Sequence, residues 1–226
     1  MKQQLAAVLA GLALSSAAMN SYADSYIGLS FGVANYSDTS KVADDLLAAA
    51  RSEDPATNAS SASITESDSG TKFFYGYNFS KSFAVELSYN DLGTVGLDGT
   101  INVVTGGANA GTVAYDVTGD ITSLGVAGLY KFEIDSSVKP FVKLGLHSWE
   151  LDGAATITST GTLSGVSQLT TVNETDSGTG LMYSLGMDIG LSKPLDLRLE
   201  YEYFDIGDDT LTSSVTTLSA GLSYKF

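Results

Sequence analysis

The chain has 226 residues, no cysteine, and 26 acidic against 11 basic residues, for a net charge of -15. The missing cysteine excludes disulfide frameworks, thiolate zinc sites and cysteine nucleophiles. The acidity excludes nucleic acid as a partner, because phosphate contacts draw on Lys and Arg.

Lys2 gives the N-terminus a positive start, and Leu5 to Leu14 form an almost wholly apolar run. Small residues follow, ending in Ser21-Tyr22-Ala23. This order is that of an export signal, with small residues at the cleavage positions. A membrane anchor needs about 20 apolar residues, and this run is far shorter. The expected organisation is therefore a signal peptide over 1–23 and one domain over 24–226.

Eight segments of the mature chain alternate with a period of two, the signature of strands with two unlike faces. In the first, Ile27, Leu29, Phe31 and Val33 alternate with Tyr26, Gly28, Ser30, Gly32 and Ala34. The second sets Phe73, Tyr75, Tyr77 and Phe79 against Lys72, Phe74, Gly76 and Asn78. In the third, Phe83, Val85, Leu87 and Tyr89 alternate with Ala84, Glu86, Ser88 and Asn90. The fourth has Leu124, Val126, Tyr130 and Phe132 against Gly125, Ala127, Leu129 and Lys131, and the fifth has Val142, Leu144 and Leu146 against Phe141, Lys143, Gly145 and His147. The sixth opposes Leu181, Tyr183, Leu185 and Met187 to Met182, Ser184, Gly186 and Asp188. The seventh, Leu195 to Phe204, is the cleanest: Leu195, Leu197, Leu199, Tyr201 and Tyr203 alternate with Asp196, Arg198, Glu200, Glu202 and Phe204. Read as a helix, it would scatter charge around every side. The eighth, Val215 to Phe226, puts Leu218, Leu222, Tyr224 and Phe226 on one face.

Connection lengths alternate as well. Short connections lie at Ser80-Lys81, Glu133 to Ser137 and Ser192 to Pro194. Long ones are expected over about 37–68, 92–116 and 152–178, with an intermediate one over 205–214. Short turns on one rim and long loops on the other are the pattern of a transmembrane β-barrel, with the short turns periplasmic. Aromatics group near the strand ends as two interfacial belts. Tyr26, Phe79, Phe83, Tyr130, Phe132, Tyr224 and Phe226 are assigned to the short-turn rim, and Tyr36, Tyr89, Tyr201 and Tyr203 to the other. The second face of the strands, rich in Gly and Ser with a few charges, suits the narrow interior of an eight-stranded barrel. The fold expected is all-β: an eight-stranded, antiparallel, up-and-down transmembrane β-barrel.

The chain resembles the OmpA-like family of small outer-membrane barrels. The residues that carry the resemblance are Tyr26-Ile27-Gly28-Leu29-Ser30-Phe31-Gly32, Gly76-Tyr77-Asn78-Phe79, Phe83-Ala84-Val85-Glu86-Leu87, Pro140-Phe141-Val142-Lys143-Leu144-Gly145 and Leu222-Ser223-Tyr224-Lys225-Phe226. The resemblance implies a place in the bacterial outer membrane among lipid and lipopolysaccharide. It also implies that Tyr224 and Phe226 form the signal read by the barrel-assembly machinery. The peptidoglycan-binding domain of full-length OmpA proteins is not implied.

Within the barrel, Lys72, Glu86, Lys131, Lys143, Asp188, Arg198, Glu200 and Glu202 are all expected to point inward, where charges have to pair. Glu86 is expected to pair with Lys72, Lys131 or Lys143. Such a cluster either plugs the lumen, leaving a structural or surface-interaction role, or forms the constriction of a small, weakly cation-preferring porin. A lipid-modifying enzyme is the third reading. His147 is the one histidine, and Ser148 beside it faces the opposite way, so no catalytic residue is assigned. The long loops, rich in Thr, Ser, Gly and Asp, are candidates for an extracellular ligand; Lys41 to Arg51 has the spacing of a short amphipathic helix. No loop carries the ordered acidic spacing of a calcium hand, so no metal and no cofactor is assigned.

Overall fold

Strands of this kind bury one face and offer the other to a second medium. Closing the sheet on itself leaves no unpaired edge in lipid. The computed structural model describes residues 24–37, 48, 58–103, 111–134, 137–161, 168–207 and 212–226. Residues 1–23, the expected export signal, lie outside them, as does Lys41 to Arg51 apart from Ala48. Nine strands are described: β1 (Asp24–Tyr36), β2 (Asn58–Thr65), β3 (Ser67–Asn78), β4 (Phe83–Val103), β5 (Gly111–Lys131), β6 (Val138–Gly161), β7 (Gln168–Ser192), β8 (Leu195–Asp205) and β9 (Ser214–Lys225).

All pairings are antiparallel. Eight strands form a ring in the order β4-β3-β1-β9-β8-β7-β6-β5, closed by β4 against β5. The seam between the first and last strands runs from Tyr26 opposite Lys225 to Tyr36 opposite Val215. β2 continues β3 beyond Glu66 and pairs with the upper part of β4, so the ring remains eight-stranded.

The outer face of the ring is the apolar one. Phe31, Phe73, Leu144, Leu146, Leu185 and Leu218 are exposed there, as residues are whose solvent is hydrocarbon. The short connections on one rim lie at Ser80–Ser82, between β5 and β6, and at Lys193-Pro194. Phe79, Phe83, Tyr130, Phe132, Tyr224 and Phe226 surround that rim, exposed, with edge-on contacts linking Phe83, Tyr130 and Phe132.

Two assignments made from sequence are corrected. Tyr26 and Tyr36 belong to no belt: both point inward, 1% and 7% exposed. Their alternation with outward Ile27 and Val33 already requires this. Of the connections expected over 37–68, 92–116 and 152–178, residues 58–65, 92–103, 111–116, 152–161 and 168–178 lie in strands rather than loops. Thr94 to Val103 pair with Gly111 to Asp120, and β6 and β7 stay in one register from Val138–Ile189 to Ser159–Gln168. A membrane crossing takes about 9–11 strand residues, and β6 has 24 and β7 has 25. The surplus Thr and Gly were read as loop-forming, yet alternating Thr, Val and Ile sustain a pleated strand in water.

Above the level of Tyr36 and Phe204, β1, β8 and β9 have ended. The tops of β2, β4, β5, β6 and β7 stand on as an open, curved sheet. Its concave face continues the lumen with Val95, Leu97 and Leu151. Its convex face carries Asp98, Asp116, Asp120 and Asp152, all exposed.

Candidate functional site

The inward face of the ring packs by a simple rule: a ring side chain on one strand lies over a glycine on the next. Tyr26 is opposite Gly76 and Phe74 opposite Gly28. Phe141 is opposite Gly186 and Trp149 opposite Gly178. A Cβ at Gly28 would stand 2.1 Å from the Phe74 ring, and one at Gly186 would stand 2.3 Å from Phe141. The glycines therefore make room for aromatics that an eight-stranded lumen is otherwise too narrow to hold.

Between Phe74 and Phe141 lies the guanidinium of Arg198, 4.5 Å and 4.7 Å from the two ring centroids. Planar guanidinium favours such stacking and leaves its edge free for carboxylates. Arg198 donates through Nε to Asp188 at 2.8 Å, through Nη2 to the same carboxylate at 3.1 Å, and through Nη1 to Glu86 at 2.6 Å. Tyr26 donates to Glu86 at 3.1 Å. One level up, Lys143 Nζ is 3.1 Å from Glu86, 2.6 Å from Glu200 and 2.7 Å from Glu202. Lys72 Nζ is 2.6 Å from Glu200, 2.9 Å from Glu202 and 3.5 Å from Glu86. Ser184 donates to Glu200 at 2.7 Å.

All eight lumen residues singled out from sequence are thus buried and inward, but they do not act alike. Lys72 and Lys143 reach Glu86. Lys131 does not: it donates to Asn78 at 2.8 Å and lies 4.5 Å from the Tyr26 ring centroid. Four cations (Lys72, Lys131, Lys143, Arg198) stand against four carboxylates (Glu86, Asp188, Glu200, Glu202), so the layer is formally neutral. That balance matters for side chains this deeply buried, because an unmatched buried charge is costly. Below it, Lys225 pairs with Asp196, a contact the alternating pattern permitted but did not select.

Above the charges lies a second layer not anticipated from sequence. Leu92, Ile121, Trp149, Met182, Phe204 and Ile206 are buried together, with Tyr36 at the side donating to the Leu92 carbonyl at 2.8 Å. Leu92 and Ile206 fall in the expected connections, outside any periodic segment, so alternation does not assemble the cap.

His147 is inside this upper region, 2% exposed. Its Nδ1 is 2.9 Å from Ser123 Oγ and its Nε2 is 3.0 Å from the Asp205 carbonyl oxygen. A carbonyl only accepts, so Nε2 carries the proton and Nδ1 accepts from the Ser123 hydroxyl. The serine beside the imidazole is thus Ser123 of the neighbouring strand, a pairing that chain order does not reveal. Ser123 is itself 1% exposed.

Tyr224 and Phe226 sit on the outer side of the seam, 49% and 62% exposed. Among the described residues no group of three or more His, Cys, Asp or Glu is arranged to hold a metal ion.

Residues 5–226 match the outer membrane protein beta-barrel domain. The chain belongs to this family. It is accordingly a protein of the bacterial outer membrane, with its short turns toward the periplasm. No curated protein matches the chain. Solved structures similar to the barrel include Ail of Yersinia pestis in complex with the heparin analogue sucrose octasulfate (15% identity, 91% of this chain and 99% of that chain, TM-score 0.47). They also include OprG of Pseudomonas aeruginosa (14% identity, 91% and 96% covered, TM-score 0.47). Neisserial surface protein A is a third (17% identity, 89% and 97% covered, TM-score 0.46).

Proposed function

We propose that the barrel is a closed, non-conducting scaffold that holds a tall extracellular wall for contact with molecules outside the cell. The observation that carries this reading is the packing of the lumen, a neutral ion-paired layer under a buried apolar cap. The cavity beside the ion pairs, lined by Ser30, Lys72, Asn90, Glu202 and Ser219 among others, measures about 10 Å³. That is room for about one water beside the ion pairs. Refolded protein in a planar bilayer is expected to give no sustained channel events across physiological voltages. Steady cation-selective openings in the wild type would establish the porin reading instead.

An enzymatic role is not supported by the His147 environment. The Ser123–His147 pair has the hydrogen bond a nucleophile needs, but both groups are buried among the cap residues. We therefore expect His147→Ala to cause no change in phospholipid or lipopolysaccharide turnover by the purified barrel. Turnover that is present in the wild type and lost in this variant would overturn the assignment.

A further inference from the structure

The open sheet above the ring has two lateral edges, and they differ. The outer edge of β2 is short and is broken by a register shift between Ala59 and Ser61. Bulges of this kind blunt an edge against further pairing. β7 is different. Its register with β6 is unbroken, and β8 pairs with it only as far as Met182. Among the described residues no backbone group pairs with the far side of Thr171 to Thr179. The sequence there, TVNETDSGT, contains no Lys and no Pro, two of the devices that protect natural edges. The Ser177 N–H bonds the carboxylate of Asp176, at 2.7 Å, rather than a strand.

Side chains near this edge define what would pair with it. Leu151, on the lumen side, is opposite Asp176; Gly153 is opposite Glu174; Ala155 is opposite Val172. Val172, Glu174 and Asp176 therefore share the concave face, and all three are exposed, Val172 at 52%. The described residues of the open sheet include no Lys or Arg, while Asp98, Asp116, Asp120 and Asp152 add to its acidity.

We propose that the free edge of β7, Thr171 to Thr179, adds an extended peptide strand from a partner whose alternate residues are basic, basic and apolar. Backbone ladder bonds supply the affinity in such strand addition, and alternate side chains supply the choice. Two Lys or Arg, spaced two apart, meet Asp176 and Glu174. An apolar residue two further on meets Val172 and the neighbouring exposed Ile157. The proposal rests on reading the wall as a contact surface and is independent of whether the lumen conducts.

The test uses the full mature barrel refolded in detergent and a labelled peptide, acetyl-TKTKTVTT-amide. Saturable binding is expected, with slowed amide exchange confined to β7 and centred on Thr171 to Thr179. A peptide of the same sequence N-methylated at alternate residues keeps its charges but cannot form the ladder, and is expected to bind at least about tenfold more weakly, or 1.4 kcal/mol. The exposed double variant E174K/D176K, its fold verified by heat-modifiable migration, is expected to lose the lysine peptide and bind acetyl-TETETVTT-amide. Equal binding of the N-methylated peptide would reduce the contact to charge alone and overturn the proposal. So would retention of the lysine peptide by E174K/D176K, or no saturable binding at all. Channel recordings bear on the lumen and not on this edge, so failure of either reading is visible separately.

Discussion

Replacing Arg198 with alanine is expected to cost the barrel about 3–5 kcal/mol, the range for breaking a buried ion pair by removing one partner. Arg198 is 1% exposed and provides both hydrogen bonds by which Asp188 is held, as well as the shortest contact to Glu86. Its removal leaves three cations, Lys72, Lys131 and Lys143, against four carboxylates in a buried site that has Asn78 and the Asp196–Lys225 pair below it. It also empties the slot between Phe74 and Phe141. Urea unfolding in detergent micelles, followed by tryptophan emission and gel mobility, measures the loss. Arg198→Lys retains the charge but neither the fork nor the stacking, and should fall between wild type and alanine. The double variant R198M/D188L deletes one charge of each sign and restores neutrality. It should recover part of the stability lost by Arg198→Ala, because apolar replacements of a whole buried pair are often tolerated. A double variant no more stable than the single one would show that charge balance is not what the layer depends on.

How much of this was legible in the sequence differs between the two media around the strands. Within the membrane, lipid on one side and a narrow lumen on the other impose a strict period of two. Leu195 to Phe204 accordingly shows which side chains meet in the interior. The identity of the charged set followed from parity alone. Pairing within the set did not, because Lys131 and Lys143 both point inward from neighbouring strands and stand at different heights: Lys131 is level with Asn78, Lys143 with Glu86 and Glu202. Height depends on strand stagger, which sequence alternation does not encode. Above the membrane the convex face meets water, so Thr, Asp and Gly replace Leu and Phe there. The contrast between faces weakens until strand and loop read alike, which is why the upper parts of β4 to β7 have the composition of connections. The aromatic–glycine pairs were visible only as separate glycines and separate rings. Their meaning requires the register that sets Phe74 against Gly28 and Trp149 against Gly178.

The apolar cap yields the second large expected effect. Trp149 is 6% exposed and lies over Gly178, with Ile121, Leu151, Met182 and Phe204 in the same buried cluster. Truncation to alanine removes the largest side chain of the layer and is expected to cost about 3–5 kcal/mol through lost contacts and the void that remains. Trp149→Phe separates ring from indole. The indole N–H has no hydrogen-bond partner among the described residues, so phenylalanine keeps most of the packing and removes an unsatisfied donor. It should therefore stay close to wild-type stability. The two layers lie in series along the lumen, and this makes the cap informative about conduction. Arg198→Ala loosens the charged layer but leaves the apolar cap in place; Trp149→Ala opens the cap but leaves Lys72, Lys143 and the three glutamates across the lumen. Neither single variant should conduct. The combination R198A/W149A offers a wet path past both, and it should give brief cation-selective openings in a planar bilayer, with the four carboxylates Glu86, Asp188, Glu200 and Glu202 then facing three lysines. Sustained openings in either single variant would show that only one layer seals the barrel, and the variant that opens would identify it.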